Sequence, residues 1–232
     1  MNSNSSLKKI LILVTILLVP GFLYYLLQEK GKNRYRPLAI YGPRKVAQTY
    51  HTKRGKRIPD TIYHQISNFE LTDAGGNRFS YPRDTSLIAV FNFFYTRCST
   101  CLFNNKQLAR IVDQYARNKR LVFYSISVDP DYDNAAVLSE YSKNFSTYHG
   151  KWTFLTGTHG KIYSLARNEF LVDVLNNKDD KGRIIHNPFF ILVDTHRRIR
   201  GYYDPSSKEQ MDKLADEIKV LIAEELRMVT SL

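Results

Sequence analysis

Residues 87–101 read LIAVFNFFYTRCSTC, and this stretch decides the fold. It begins as a nearly continuous run of apolar, β-branched and aromatic residues, which is typical of a central strand buried on both faces. It ends in Cys98 and Cys101, the only two cysteines of the chain. Apolar residues at helical spacing follow at Leu102, Leu108, Ile111, Val112 and Tyr115. The sequence therefore predicts a buried strand that ends at two sulfurs and continues as a helix.

The position of this cysteine pair favours chemistry over a purely structural disulfide. The free N–H groups and the dipole of a helix N-terminus stabilise a thiolate, and Arg97 adds a positive neighbour. A structural disulfide is the alternative, but closing so small a ring contributes only about 2 kcal/mol on the loop-entropy model. We expect Cys98 to be the more exposed, attacking thiol and Cys101 to be the resolving thiol.

The chain begins with an apolar segment over residues 10–27, preceded by Lys8 and Lys9. Its length is sufficient to cross a bilayer. Its last residues, Tyr24 to Leu27, are too large for a signal-peptidase site, so we expect an uncleaved transmembrane anchor over residues 1–28. The anchor is expected to contact membrane lipid.

The net charge of +12 is concentrated next to this segment. Residues 28–57 hold ten basic residues against one acidic residue, Glu29. A basic belt here suits anionic lipid or a solvated linker, and the nearly balanced charge further on does not support a nucleic-acid face. We assign residues 29–57 to a basic linker and residues 58–232 to the folded domain.

Two signals disagree about the side of the membrane on which the domain lies. The basic residues on both flanks of the anchor favour the cytoplasm by the positive-inside rule. A disulfide-forming pair is more common in the oxidising compartments outside the cytoplasm. We favour a single-pass protein with its domain on the exoplasmic, periplasmic side.

The rest of the chain alternates between strand and helix patterns. A hairpin is predicted over residues 69–80, strands over 121–128, 152–155, 189–194 and 198–203, and helices over 134–145, 160–170 and 207–228. This alternation predicts a thioredoxin-like three-layer α/β/α domain with parallel strands. Thioredoxin folds commonly carry a cis-proline just before the strand that is predicted here over residues 189–194. Pro188 is therefore a candidate for a cis peptide bond.

His186 precedes this proline by two residues, where the fold would bring it close to Cys98 and Cys101. Two thiolates and one neutral imidazole suit copper as Cu(I), because soft sulfur selects it, whereas zinc needs a fourth ligand. We expect no site role for the remaining histidines: His51, His64, His149, His159 and His196.

The chain resembles the Sco/SenC family of thioredoxin-fold proteins over residues 35–228. The matching motifs are Pro37-Leu38, Tyr41-Gly42-Pro43, FNFFYTRCSTC, residues 125–130 (SISVDP), residues 152–157 (WTFLTG), His186 with ILVD after it, and residues 198–204 (RIRGYYD). The resemblance implies copper delivery to cytochrome c oxidase, to its copper-site subunit or to another cuproprotein. It also implies that copper, as Cu(I) or Cu(II), binds Cys98, Cys101 and His186.

One feature departs from the family pattern Cys-x-x-x-Cys-Pro. Here the second cysteine follows after only two residues, and Leu102 stands in place of the proline. The shorter spacing is that of thioredoxin-like reductases. A thiol-disulfide oxidoreductase that uses Cys98 and Cys101 to reduce partner cysteines is therefore the alternative function.

Overall fold

The computed structural model describes residues 3–31, 37–53, 55–82, 86–145, 150–178 and 184–230. The chain divides into two compact units, Met1–Pro37 and Leu38–Leu232. The first contains helix α1 (Ser3–Gly31). Among the described residues, no helix has both the length and the apolar character that crossing a membrane requires. The transmembrane anchor predicted over residues 1–28 is therefore not confirmed.

The second unit is a mixed α/β domain with a central seven-stranded sheet. The strands are β1 (Arg44–Lys53), β2 (Lys56–Tyr63), β3 (Phe69–Asp73), β4 (Arg78–Tyr81), β5 (Ile88–Phe94), β6 (Leu121–Ser127), β7 (Trp152–Thr156), β8 (Val174–Lys178), β9 (Ile184–His186), β10 (Phe190–Val193) and β11 (Ile199–Tyr203). The helices are α2 (Ser99–Gln114), α3 (Ala135–Ser142), α4 (His159–Ser164) and α5 (Lys208–Thr230), and a π-helical turn (Leu165–Glu169) extends α4.

Strand β5 lies in the middle of this sheet, in which the order is β11-β10-β5-β6-β7-β3-β4. All seven of its residues are buried, as its continuous apolar sequence predicts. Strand β5 pairs in parallel with β6 on one side and antiparallel with β10 on the other. Strand β6 in turn pairs in parallel with β7. The predicted parallel core and the antiparallel return of β11 are confirmed.

Helices cover both faces of the sheet. On one face, Tyr141 of α3 stacks on Phe94 of β5, and the Tyr115 hydroxyl after α2 donates to the Ala215 carbonyl of α5. On the other face, Phe91 packs on Phe170 at the end of the π-helical turn. The three-layer α/β/α arrangement follows from the alternation of side chains along β5.

A chain of buried hydrogen bonds fixes helix α2 on β5. The Asn92 amide donates to the Asn105 carbonyl oxygen at 2.9 Å, and the Asn105 amide donates to the Tyr141 hydroxyl at 3.1 Å. Ser125 donates to Asn92, and Trp152 donates to Ser125. Because a buried polar group without a partner is costly, this network sets the position of α2 along the strand.

The segment predicted to be a basic linker contains regular structure. Strand β1 and the start of β2 lie within residues 29–57, and the two strands form a separate antiparallel two-stranded sheet. Its strands are exposed on both faces and lack the apolar alternation that reveals a core strand. Some basic residues of the predicted linker lie outside the described residues: Lys32, Arg34, Arg36 and Arg54.

The predicted cis-proline at position 188 is wrong. Within the described ranges, the only cis peptide bond is Tyr81-Pro82. Pro188 instead stands two residues before β10, where it removes no hydrogen bond from the sheet.

Arg200 is a buried cation that joins three parts of the domain. Its side chain is 1% exposed and pairs with Asp194 at 3.1 Å and Glu224 at 2.9 Å. Its guanidinium also donates to the carbonyl oxygens of Leu38 and Ala39. It therefore ties the first residues of the domain to β11 and to α5.

We predict that Arg200→Met lowers the free energy of unfolding by about 3–5 kcal/mol, because it leaves Glu224 without its buried partner. Urea denaturation measures this. The matched control is Lys208→Met, which breaks an exposed pair with Asp212 and should cost less than about 1 kcal/mol. A loss for Arg200→Met no larger than that of the control would contradict the assigned role.

Candidate metal and redox site

Cys98 and Cys101 lie where β5 passes into α2, as the sequence predicts. Cys98 is the N-cap of α2, and its sulfur accepts a hydrogen bond from the Cys101 backbone N–H at 2.9 Å. The two residues form a disulfide, with their Cα atoms 5.1 Å apart. Cys98 is half-buried and Cys101 is only 3% exposed. An incoming thiol therefore reaches Cys98 more easily than Cys101.

The loop before Cys98 is held by two buried carboxylates. Asp133 accepts hydrogen bonds from the Thr96 backbone N–H at 2.9 Å and from the Thr96 and Ser127 hydroxyls. Asp129 pairs with the Arg97 guanidinium, which also lies 4.3 Å above the ring of Tyr132. Because Asp129 neutralises Arg97, this arginine stabilises a neighbouring thiolate less than its sequence position suggests.

Asp129 and Asp133 are residues of the site that were not predicted from the sequence. Both follow β6, the strand next to β5, at the same edge of the sheet as the cysteines. Sites in α/β folds commonly lie beyond the carboxyl ends of parallel strands, and both aspartates follow such an end. Here they position the backbone that presents Cys98.

His186 at the end of β9 approaches the cysteines, as the sequence predicts. Its Nε2 atom lies 3.7 Å from the Cys101 sulfur, and its Nδ1 atom lies 3.4 Å from the Ile184 carbonyl oxygen. Its ring packs edge-on against Tyr95. With the proton on Nδ1, the lone pair of Nε2 points towards sulfur.

Burial lowers the pKa of His186, and hydrogen bonds to the carbonyl groups of Ile184 and Phe93 only partly oppose this. Since burial disfavours the charged imidazolium, the ring is neutral near pH 7 and can donate its lone pair to a metal. The structure thus brings all three predicted site residues together: two sulfur atoms and one imidazole nitrogen. This set matches the preferences of Cu(I) once the disulfide is reduced.

The other described histidines lie away from this site. His51 pairs with Asp60, His64 contacts the Glu169 carbonyl oxygen, and His159 stacks on Tyr163. His149 lies outside the described residues.

His196 belongs to a second group of possible metal ligands that the sequence analysis did not single out. Its ring nitrogen and carboxylate oxygens of Asp194 and Glu225 all lie within 4.8 Å of one another. Asp194, however, already pairs with Arg198 and Arg200. Because two cations neutralise this carboxylate, the group fits a structural turn better than a metal site.

The fold and the site together define the class: a thioredoxin-like protein with a cysteine pair at the strand-to-helix junction and a histidine beside it. A family model described as SCO1/SenC matches residues 60–223. The chain belongs to this family. Its sequence is 30% identical to a SCO2-like protein of Rickettsia typhi, over 92% of this chain and all of that protein.

Solved structures of related proteins have the same fold. Arabidopsis thaliana ScoI with copper bound is similar with a TM-score of 0.56 and 25% identity, over 66% of this chain and 98% of that one. BsSco, described as a member of the Sco family of cytochrome c oxidase assembly proteins with a disulfide switch, has a TM-score of 0.58 and 22% identity. That match covers 67% of this chain and 92% of BsSco.

We predict that His186 in the oxidised protein titrates with a pKa below its ordinary value of 6.5. The unfolded chain then binds this proton more readily than the folded chain, so stability falls as the pH drops from about 6.5 towards the folded pKa. NMR titration of the imidazole measures the pKa, and titration of the urea-unfolded protein supplies the reference. A folded pKa at or above the unfolded one would contradict the burial of the ring.

Proposed function

We propose that this protein binds copper through Cys98, Cys101 and His186 and helps to assemble a copper centre. The observation that carries the proposal is the 3.7 Å approach of His186 Nε2 to the Cys101 sulfur. Membership of the SCO1/SenC family and the copper-bound Arabidopsis relative support it. In this proposal copper is a substrate that the protein passes on to another protein, and it is not a resident cofactor.

Copper loading requires the reduced pair. Two electrons and two protons from a dithiol reductant convert the disulfide into two thiols, and each thiol releases its proton when its sulfur binds metal. The hydrogen bond from the Cys101 N–H and the α2 dipole stabilise the Cys98 thiolate. The neutral imidazole of His186 completes a set that suits Cu(I).

We propose that the recipient is the copper-site subunit of cytochrome c oxidase or another cuproprotein. The relative BsSco is described as belonging to a family of oxidase assembly proteins. Exposed apolar side chains next to the site residues in the sequence offer a surface for such a partner: Phe103, Tyr132 and Ile185. The half-buried Cys98 is the sulfur that a recipient ligand reaches first.

We predict that the reduced full-length protein binds Cu(I) and that His186→Ala weakens binding by more than about 100-fold, since even loss of a ligand's supporting partner costs 10–100-fold. Cys98→Ser should have a similar effect. Competition with a Cu(I) chelator measures the affinity. His196→Ala is the matched control and should bind as the wild type does.

The alternative is a thiol-disulfide oxidoreductase, favoured by the Cys-x-x-Cys spacing and the accessible Cys98. Cys98 would attack a partner disulfide, and Cys101 would then displace the partner thiol and form the disulfide seen here. Turnover of a disulfide substrate that is unchanged in His186→Ala, together with absence of Cu(I) binding, would select this function and discard the copper proposal.

We further propose that residues 1–28 attach the domain to a membrane and that the domain faces the exoplasmic, periplasmic side. The apolar side chains of residues 11–25 are largely exposed on α1, and an oxidised cysteine pair suits an oxidising compartment.

We predict that the full-length protein stays in the membrane fraction after alkaline carbonate washing and that external protease digests its domain in intact spheroplasts. A chain that begins at Leu38 should be released from the membrane fraction by the same carbonate wash. Recovery of the full-length protein in the carbonate supernatant would overturn the attachment, and protection from external protease would overturn the orientation.

A further inference from the structure

The β1–β2 hairpin has no core of its own. It forms a sheet separate from the seven-stranded one, and almost every residue described in it is exposed. An isolated two-stranded hairpin is marginally stable in water. Apolar side chains nevertheless extend from it into solvent: Val46, Tyr50, Ile58 and Ile62. Such a surface indicates a binding partner.

One face of this hairpin combines cations with aromatic rings. Arg44 lies opposite Tyr63 in the register and stacks over its ring at 5.4 Å. Arg57 stacks over Tyr50 at 4.4 Å. Val46, between these two pairs, is 76% exposed. Because alternate residues of a strand share a face, these five residues lie together, and we call them the arginine-tyrosine face.

The opposite face is chemically different. The cations Lys45, Lys53 and Lys56 lie on it together with the exposed Ile58 and Ile62. The only acidic residue of the two strands, Asp60, lies there too and pairs with His51 at 2.6 Å. The arginine-tyrosine face holds no carboxylate. An anionic partner therefore meets no like charge on that face.

The edges of the hairpin are poorly suited to pairing with a strand of another protein. Pro59 removes a donor from β2, the register of β1 shifts between Val46 and Tyr50, and lysines occupy both strands. These are the features that block edge-to-edge pairing. The hairpin is therefore better suited to bind a partner through the side chains of one face than through pairing at a strand edge.

We propose that the arginine-tyrosine face binds the surface of an anionic lipid bilayer. The guanidinium groups would pair with lipid phosphates, while the tyrosine rings and Val46 enter the interfacial layer, where amphipathic aromatic residues are favoured. An exposed aliphatic side chain at the centre of the face suits lipid better than nucleic acid. This site is independent of the copper proposal, since none of its residues contributes a metal ligand.

The test uses residues 38–232, which form one compact unit. A solved Arabidopsis chain of the same fold matches only 66% of this chain, with 98% of its own length, so the fold does not require the first unit. Co-sedimentation is measured with vesicles of phosphatidylcholine alone and of an equal mixture with phosphatidylglycerol. We predict binding to the anionic vesicles only. Arg44→Gln/Arg57→Gln should weaken binding to these vesicles by about tenfold or more, because each cation near an anionic membrane surface contributes roughly 1 kcal/mol.

The matched control is Lys45→Gln/Lys56→Gln, which removes the same charge from the opposite face and should reduce binding far less. Val46→Ser should weaken binding without changing the charge. Equal losses in the two double variants, absence of binding to anionic vesicles, or tighter binding to a short oligonucleotide would each overturn the proposal. Urea denaturation of the same variants verifies that the domain is folded and does not depend on the copper proposal.

Discussion

A hydrogen bond between two buried amides, Asn92 of β5 and Asn105 of α2, is the constraint on which the site depends. It fixes the helix along the central strand, and the helix begins at Cys98. Because neither amide can find water in the core, sliding the helix along the strand would leave polar groups unpaired. The position of both sulfur atoms therefore follows from a contact between β5 and the second turn of α2.

Three segments distant in sequence converge on this fixed point. The end of β5 and the start of α2 supply the cysteines, the loop after β6 supplies the carboxylates of Asp129 and Asp133, and β9 supplies His186. Each comes to the edge of the sheet at which β5 and β6 end. Proximity of the cysteines to the two carboxylates is thus a result of strand order, and the buried carboxylates control the backbone that leads into Cys98. His186, the third proposed ligand, reaches the site from a strand outside the main sheet.

The parts of the fold that bury apolar surface could be predicted from the sequence. The continuous run before Cys98 identified β5, and the strand-helix alternation placed His186 beside the cysteines. The hairpin of β1 and β2 escaped prediction because its strands face water on both sides and so lack a hydrophobic period. The conformation at Pro188 escaped it because tertiary contacts select the isomer of a proline bond. The loop-holding role of Asp129 and Asp133 depends on which side chains meet across two connections, and no local pattern displays that.

The ligands are divided between two kinds of support. Cys98 and Cys101 belong to the junction of the central strand and helix, whereas His186 ends a three-residue strand in a small hairpin outside the main sheet. In the proposed transfer, dissociation of copper would therefore begin at the His186 nitrogen while both sulfurs keep their places. A receiving protein would then need to supply only one donor at a time, and the proposed ligand exchange would proceed stepwise, with no release of a free ion into solution.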